Sequence, residues 1–216
     1  MTPARPYTPE QLGGHLAGGG MIAALFVQEG GSYYGVEGVD PWPESRDARR
    51  YAGPWPVVAH PPCDRWHLLY AVNHARWGFV INDDGGCFAS ALRDIRKWGG
   101  VLEHPAERRA FRFHNVPEPQ RGAWQRTIDG DWTTEVDQGA YGHRARKRTW
   151  LVYCGETPPP ALDWSKADCS HQVGVCDQRG LVPGEPALST REANATPNAF
   201  RDLLIEMARS SISEAA

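Results

Sequence analysis

The sequence of 216 residues contains no run of 18 apolar residues, so we expect no membrane-spanning helix. Its first residues show no basic region followed by an apolar stretch and a cleavage site, so we expect no secretion signal. The five cysteines form no regular framework, which favours a reducing compartment over a disulfide scaffold. These absences predict a cytoplasmic protein.

A large excess of basic charge is also missing. The formal net charge is −3, which offers no overall attraction to nucleic acid, although a local basic cluster can still bind phosphate. Hydrophobic residues make up 41% of the chain and charged residues 23%, as in an ordinary globular domain. The 23 glycines, 18 prolines and nine tryptophans predict a loop-rich protein whose irregular segments are held by aromatic side chains.

Short apolar runs alternate with helical patterns along most of the chain. Strands are predicted at residues 21–27, 35–40, 56–59, 101–105 and 148–153, and helical turns at 44–51, 88–98 and 197–210. This alternation predicts an α/β fold with a mostly parallel, Rossmann-like sheet and flanking helices, as a single domain over residues 21–216. Residues 1–20 are expected to be flexible, and residues 155–195 to form an irregular, loop-rich insertion.

Cys63 follows the predicted strand at 56–59 and two prolines. A free cysteine is usually a small buried hydrophobic residue, which is the alternative interpretation, but a rigid turn followed by charged residues favours a functional thiol. We expect His60 or Arg65 to lower its pKa and so to raise its thiolate fraction. Asp40, at the end of another strand, is expected at the same edge of the sheet. The carboxyl ends of parallel strands are where ligands bind in such folds.

Glu103 lies at the end of the strand at 101–105, directly before His104. We expect a partly buried acid whose raised pKa lets it donate or share a proton. The alternative is an exposed carboxylate without a chemical role.

A basic cluster at residues 143–148 immediately precedes the last predicted strand. Its arginines suit contacts with phosphates or bases, because the strand and the Tyr-Gly pair at 141–142 fix its position. A solvated charged surface is the alternative interpretation. A separate possible set of zinc ligands consists of Cys154, Cys169, His171 and Cys176, but its spacing matches no standard zinc motif.

Taken together, these motifs resemble those of the C5-cytosine DNA methyltransferases. Ala-His-Pro-Pro-Cys at 59–63 is similar to the Pro-Cys motif whose cysteine attacks C6 of cytosine. Leu-Glu-His-Pro at 102–105 is similar to the Glu-Asn-Val motif, with histidine in place of asparagine. Residues 141–148 resemble a Tyr-Gly turn followed by Gln-x-Arg-x-Arg, without the glutamine, and Asn-Ala-Thr-Pro at 194–197 is similar to the closing Gly-Asn-x-x-Pro motif.

The resemblance implies a methyltransferase-like fold of reduced size and a pyrimidine-modifying enzyme that acts on DNA or on a pyrimidine nucleotide. Cys63 would add to C6 while Glu103 assists at N3, and a base in duplex DNA would be flipped out. The residues given catalytic roles are Cys63, Glu103, Arg146 and Arg148. The residues given substrate contacts are His60, Pro62, Arg65, His104, Arg144 and Lys147.

S-adenosylmethionine is the cofactor that the resemblance implies, with Phe26, Asp40 and Asn194 as its contacts. Residues 25–31, however, depart from the family's Phe-x-Gly-x-Gly loop, and the stretch before the next strand is too short for a full helix. A second hypothesis is therefore a non-catalytic DNA-binding protein that keeps the fold without the cofactor. The motif series also resembles small proteins of bacteriophages and prophages, which implies a bacterial or phage-infected cell.

Overall fold

A computed structural model describes residues 20–66, 78, 80–173 and 184–212, so most of the segment expected to be flexible lies outside the described residues. Seven strands in the described part form one sheet, in the order β2-β1-β3-β4-β7-β6-β5. They are β1 (Ile22–Leu25), β2 (Val39–Trp42), β3 (Val57–Ala59), β4 (Gly100–Pro105), β5 (Gln125–Arg126), β6 (Trp132–Asp137) and β7 (Arg148–Cys154).

The sheet is mixed, and the prediction of a mostly parallel sheet is wrong, whereas the α/β class is confirmed. The strands β2, β1, β3 and β4 are parallel neighbours. The pairs β4–β7, β7–β6 and β6–β5 are antiparallel. The consecutive antiparallel strands β5, β6 and β7 need no crossover helix, because short connections join them.

Four α-helices accompany the sheet in the described part: α1 (Cys87–Trp98), α2 (Ala110–Phe113), α3 (Thr190–Asn194) and α4 (Asn198–Ser210). Helix α1 packs its buried Phe88 against one face, and helix α4 packs its buried Phe200 against the other. Successive residues of β1 alternate between the two clusters, with Ala23 on the α1 side and Ala24 on the α4 side. The continuous apolar run in β1 follows from this burial on both faces.

Most predicted elements are present, with two informative differences. The second strand was predicted to end at residue 40, yet β2 continues through Pro41 to Trp42. Proline is tolerated there because β2 is an edge strand, where a backbone donor can be spared. Strands β5 and β6 were not predicted, although Asp129-Gly130 between them is a common hairpin signal.

Gly100, at the start of β4, has a positive φ of 123°. A side chain there would place its Cβ 1.9 Å from the carbonyl oxygen of Val57 in the neighbouring strand. The glycine pair after α1 therefore both ends the helix and lets β4 approach β3 closely.

Residues 155–173 contain no helix or strand, and two tryptophan side chains tie them to β6 and to the residue before β5. Trp164 Nε1 donates to Thr134 Oγ1 at 3.0 Å, and Trp124 Nε1 donates to the Pro160 carbonyl at 2.7 Å. The loop-rich character of this region is as expected, apart from the short α3. Of the residues described, no helix combines the length and apolarity that crossing a bilayer requires.

Candidate active site

Parallel and antiparallel pairing bring several polar side chains to the edge of the sheet at which the parallel strands β1, β3 and β4 end. His60 directly follows β3, and Glu103 lies in β4, where the register pairs Ala59 with Leu102. His60 and Glu103 are therefore neighbours across the two strands. Because β7 runs antiparallel to β4, the residues that precede β7, including Lys147, arrive at the same edge.

A chain of hydrogen bonds crosses this edge. His60 Nδ1 lies 2.9 Å from Glu103 Oε2, and His60 Nε2 lies 2.7 Å from the hydroxyl of Tyr33. Gln138 Nε2 donates to the other oxygen of Glu103 at 3.0 Å and to Thr149 Oγ1 at 2.9 Å. The carboxylate is thus held at both oxygens by partners from separate segments.

Glu103 is an ionised acid in this setting. Burial by itself raises the pKa of the carboxyl, but the hydrogen bond and charge of His60, together with the charge of Lys147, outweigh it and bring the pKa to about 2. The expectation of a raised pKa is therefore wrong. At neutral pH Glu103 is an acceptor of hydrogen bonds.

Cys63 lies in the turn after β3, where its carbonyl accepts from the Trp66 amide at 3.2 Å. Burial raises the pKa of the thiol, the charges of Glu103 and Asp64 raise it further, and those of Arg108 and Lys147 oppose the rise. The expected lowering of the pKa by His60 or Arg65 is therefore wrong. Arg65 is paired with Asp64 at 3.1 Å instead.

Lys147 is a cation whose charge acts on both Cys63 and Glu103. Its burial lowers the pKa of the ammonium, while the charges of Glu103 and Cys63 raise it. Nζ also donates to the carbonyls of Asn194 and Ala195, at 3.3 and 3.2 Å. Lys147 is therefore held between the end of α3 and the Cys63–Glu103 pair.

The three arginines of the basic cluster are already paired with carboxylates. Arg144 pairs with Glu192 at 2.8 Å. Arg146 pairs with the buried Asp137 at 3.1 Å. Arg148 pairs with Glu135 at 2.7 Å and also contacts Glu107. These pairs anchor the segment before β7, and they reduce the charge that it offers to phosphate.

His104 does not lie at the substrate side, which contradicts its predicted role as a substrate contact. It is fully buried, with its ring edge-on to Phe88 at a centroid distance of 5.4 Å and close to Phe111. Burial lowers its pKa to about 4. His104 is therefore a neutral core residue behind the site.

A cleft of about 1420 Å³ opens beside this edge, and Phe26, Pro62 and Arg65 line it. The chain passes from β1 to β2 on one side and then from β2 to β3 on the other side of β1, and ligands bind at such switches of strand order. The cleft contains several carboxylates, among them Glu29, Glu44, Asp47 and Asp83.

The other two predicted cofactor contacts lie elsewhere. Asp40 is within β2, not at its end, and its carboxylate accepts from Arg46 at 2.5 Å and from Trp42 Nε1 at 2.8 Å. Asn194 ends α3 and presents its carbonyl to Lys147. The predicted cofactor residues therefore do not converge.

The residues of the possible zinc site also do not lie together. The buried thiol of Cys154 donates to Asp131 at 3.1 Å, whereas His171 lies beside Arg144 and Ser170. Cys169 lies near the His143 carbonyl, and Cys176 is outside the described residues. In the part of the chain that the structure describes, no group of three or more metal-ligating side chains occurs.

Tyr33 and Gln138 are members of the site that the sequence analysis missed. Tyr33 lies in the turn-rich segment after β1, and Gln138 directly follows β6. Neither position carries a motif. Both were identifiable only by their contacts with His60 and Glu103.

No protein-family model, curated protein or solved structure matches this chain.

Proposed function

We propose that this protein is a pyrimidine-modifying enzyme in which Cys63 adds to C6 of the base and Glu103 holds its N3 edge. The observation that supports this most is the meeting of Cys63, Glu103 and Lys147 at one edge of the sheet, within range of one another's charges. A nucleophile, an acceptor and a cation are what addition to a pyrimidine ring needs.

The chemistry assigned to each residue is limited and testable. The Cys63 thiol gives its proton to solvent water, its sulfur forms a bond to C6, and the electron pair of the C5–C6 double bond moves to C5. Glu103 accepts a hydrogen bond from an N–H at the N3 edge, and Lys147 favours the negative charge that develops on the ring. C5 then takes up an electrophile, and loss of the C5 proton with expulsion of the thiolate restores the ring.

The fold supports the proposal at the level of architecture. The switch of strand order at β1 and the cleft beside it suit a reduced, Rossmann-like methyltransferase domain. The substrate is DNA or a pyrimidine nucleotide. The setting is the cytoplasm of a bacterial or phage-infected cell, where a catalytic thiol stays reduced.

S-adenosylmethionine, when bound, would supply an electrophilic methyl group. Of its three predicted contacts only Phe26 lines the cleft, while Asp40 is occupied by Arg46 and Asn194 faces Lys147. The residues present therefore do not fit the predicted set.

The non-catalytic DNA-binding protein is the second candidate, favoured by the occupied carboxylate of Asp40. The pairing of all three arginines of the basic cluster with carboxylates opposes it. A binder that relies on this cluster would leave its guanidinium groups available for phosphate.

Hydrogen exchange at C5 tests the proposal without any methyl donor. Addition of Cys63 makes C5 basic, so a deuteron from D2O is taken up and the original proton is lost when the thiolate leaves. We expect deuterium at C5 of cytosine or uracil, measured by mass spectrometry in oligonucleotides and in nucleotides. The rate should fall at least about 100-fold in Cys63→Ala, as for loss of a nucleophile, and be unchanged in Cys87→Ala.

Exchange that persists in Cys63→Ala would contradict the proposal, as would no exchange by the wild type on any of these substrates. Trapping on 5-fluorocytosine DNA, with and without S-adenosylmethionine, then tests the donor. A Cys63 adduct that needs S-adenosylmethionine supports it as the donor. Exchange without such an adduct rejects S-adenosylmethionine and keeps the addition step.

A further inference from the structure

Both ring nitrogens of His60 are engaged by partners other than Cys63. Nδ1 lies 2.9 Å from Glu103 Oε2, and Nε2 lies 2.7 Å from the Tyr33 hydroxyl. An imidazole that serves as the base for a thiol needs one nitrogen facing the sulfur. His60 is therefore not placed to deprotonate Cys63, although it lies only three residues away.

We propose that Tyr33 and His60 are positioning residues that orient the Glu103 carboxylate and keep it in the form that accepts an N–H from the substrate base. Gln138 completes the arrangement at the other carboxylate oxygen. The inference rests on the proposed function for the identity of the base, but the arrangement of protons is a property of the free protein.

The order of protons follows from the partners. Ionised Glu103 can only accept, so Nδ1 carries a proton and donates to Oε2. With Nδ1 directed at Glu103, Nε2 is left to accept from the Tyr33 hydroxyl. Among the described residues the only hydrogen-bond partner of this hydroxyl is His60, so the phenolic proton has Nε2 as its acceptor.

Tyr33 is suited to remain the donor in this chain. Its side chain is 3% exposed, and its ring lies 5.3 Å from the His60 ring. Burial and the charge of Glu103 raise the pKa of the phenol well above its usual value. From α4, Arg201 lowers this pKa and Asp202 raises it.

Two further groups act on Glu103 besides His60. Lys147, before β7, and His104, the next residue in β4, both lower the pKa of Glu103. Lys147 also interacts with Cys63, so it belongs to the reacting side of the site. His60 alone bridges the carboxylate to the interior hydroxyl.

The arrangement restricts what Glu103 can recognise. Each carboxylate oxygen accepts up to two hydrogen bonds, and one position on each is taken, by His60 and by Gln138. The remaining positions suit an N–H donor and repel an unprotonated ring nitrogen. The site therefore selects a pyrimidine edge that offers N–H groups, either the N3–H of a uracil-type ring or the amino group of cytosine with a proton at N3.

The test is an NMR titration of the free protein, which needs neither substrate nor activity. Histidine labelled with ¹⁵N should show His60 with its proton on Nδ1 at neutral pH. The pKa of Glu103, followed by ¹³C, should rise by at least one unit in His60→Leu. It should return toward the wild-type value in His60→Asn, whose amide N–H takes the place of Nδ1–H.

Tyr33→Phe should leave the proton on Nδ1 of His60 and move the ¹⁵N resonance of Nε2 toward that of a ring nitrogen without a hydrogen bond, because Nε2 loses its donor. Tyr34→Phe is the matched control, since Tyr34 bonds to the exposed Glu29, and we expect no change in the His60 resonances. With substrate, Tyr33→Phe should also slow C5 exchange.

A proton on Nε2 of His60, or an unchanged Glu103 pKa in folded His60→Leu, would overturn the inference whatever the outcome of the exchange assay. If His60→Leu does not fold, the wild-type tautomer and Tyr33→Phe still decide it. Correct tautomer and pKa shifts without any C5 exchange would keep the positioning role and reject the pyrimidine chemistry.

Discussion

At the scale of single residues, the site depends on polar groups that are buried next to different partners. Glu103 and His104 are adjacent in β4, but their side chains alternate, so one faces His60 and the other faces Phe88 and Phe111. One residue is held charged by donors, and the other is held neutral by an aromatic environment.

His104 should make the protein acid-sensitive. Its folded pKa of about 4 lies below the ordinary histidine value, so on acidification the unfolded chain takes up the proton first. The contribution of His104 to the free energy of unfolding should be fully present above about pH 6.5. It should fall by roughly 3 kcal/mol toward pH 4, at about 1.4 kcal/mol per pH unit. Urea unfolding at a series of pH values measures this.

The variant His104→Leu should reduce the pH dependence of the free energy of unfolding between about pH 6.5 and 4. His171→Leu, outside the core, should leave that dependence unchanged. The contribution of Glu103 has the same sign but a lower window. Its folded pKa of about 2 means that its stabilisation is present above about pH 4.5 and lost toward pH 2. A pH dependence between 6.5 and 4 that is equal in His104→Leu and wild type would contradict the assignment.

The positions of Cys63 and Glu103 at one edge were predictable from motifs at strand ends. Their ionisation was not, because it depends on burial and on Lys147, which is distant in sequence. His104 was misassigned for a related reason, since adjacent residues in a strand face opposite sides and its motif position says nothing about which side is buried.

At the scale of elements, the antiparallel pair β6–β7 brings Lys147 to the site. The end of β6 and the start of β7 lie together, with Asp137 opposite Arg148. Asp137 accepts from the Lys147 amide at 3.0 Å, from the Gly139 amide at 3.1 Å and from Arg146 Nε at 3.1 Å. One buried carboxylate therefore fixes the backbone that carries Lys147.

Asp137→Asn should destabilise the protein by about 2–3 kcal/mol, because it leaves Arg146 without its charged partner near a buried position. It should also slow C5 exchange by loosening Lys147. Asp129→Asn is the control, since it breaks a more exposed pair with Arg96 and should cost less than about 1 kcal/mol. Equal destabilisation of the two variants in urea unfolding would reject this role for Asp137.

Elements with strong periodicity were predicted well, among them α1 and α4. The β5–β6 hairpin was missed because β5 has only two residues and Trp132–Asp137 carries polar side chains that the fold then buries. Without β6, the antiparallel half of the sheet had no visible partner for β7, which led to the expectation of a mostly parallel sheet.

At the scale of the whole molecule, one sheet separates two apolar clusters. Phe88 of α1 belongs to the cluster on one face and Phe200 of α4 to the cluster on the other, and both are fully buried. Each of the strands β1, β3 and β4 contributes side chains to both clusters. Neither cluster can therefore unfold while the sheet remains folded.

Phe88→Ala and Phe200→Ala should therefore each lower the free energy of unfolding by about 3–5 kcal/mol in one cooperative transition. Ile128→Ala, at a fully exposed residue, should change it by less than about 0.5 kcal/mol. Tryptophan fluorescence and far-UV circular dichroism should give the same midpoint. Separate midpoints for the two probes would show that the clusters unfold independently.

The sequence by itself determined the α/β class, the main helices and the positions of Cys63 and Glu103 next to strand ends, because periodicity and turn residues are local signals. Tertiary structure alone decided the mixed sheet, the pairing of the arginines, the removal of Asp40 and His104 from the site and the addition of Tyr33 and Gln138. Hydrogen bonds and burial join residues far apart in the chain, and no local pattern records which side chains they will bring together.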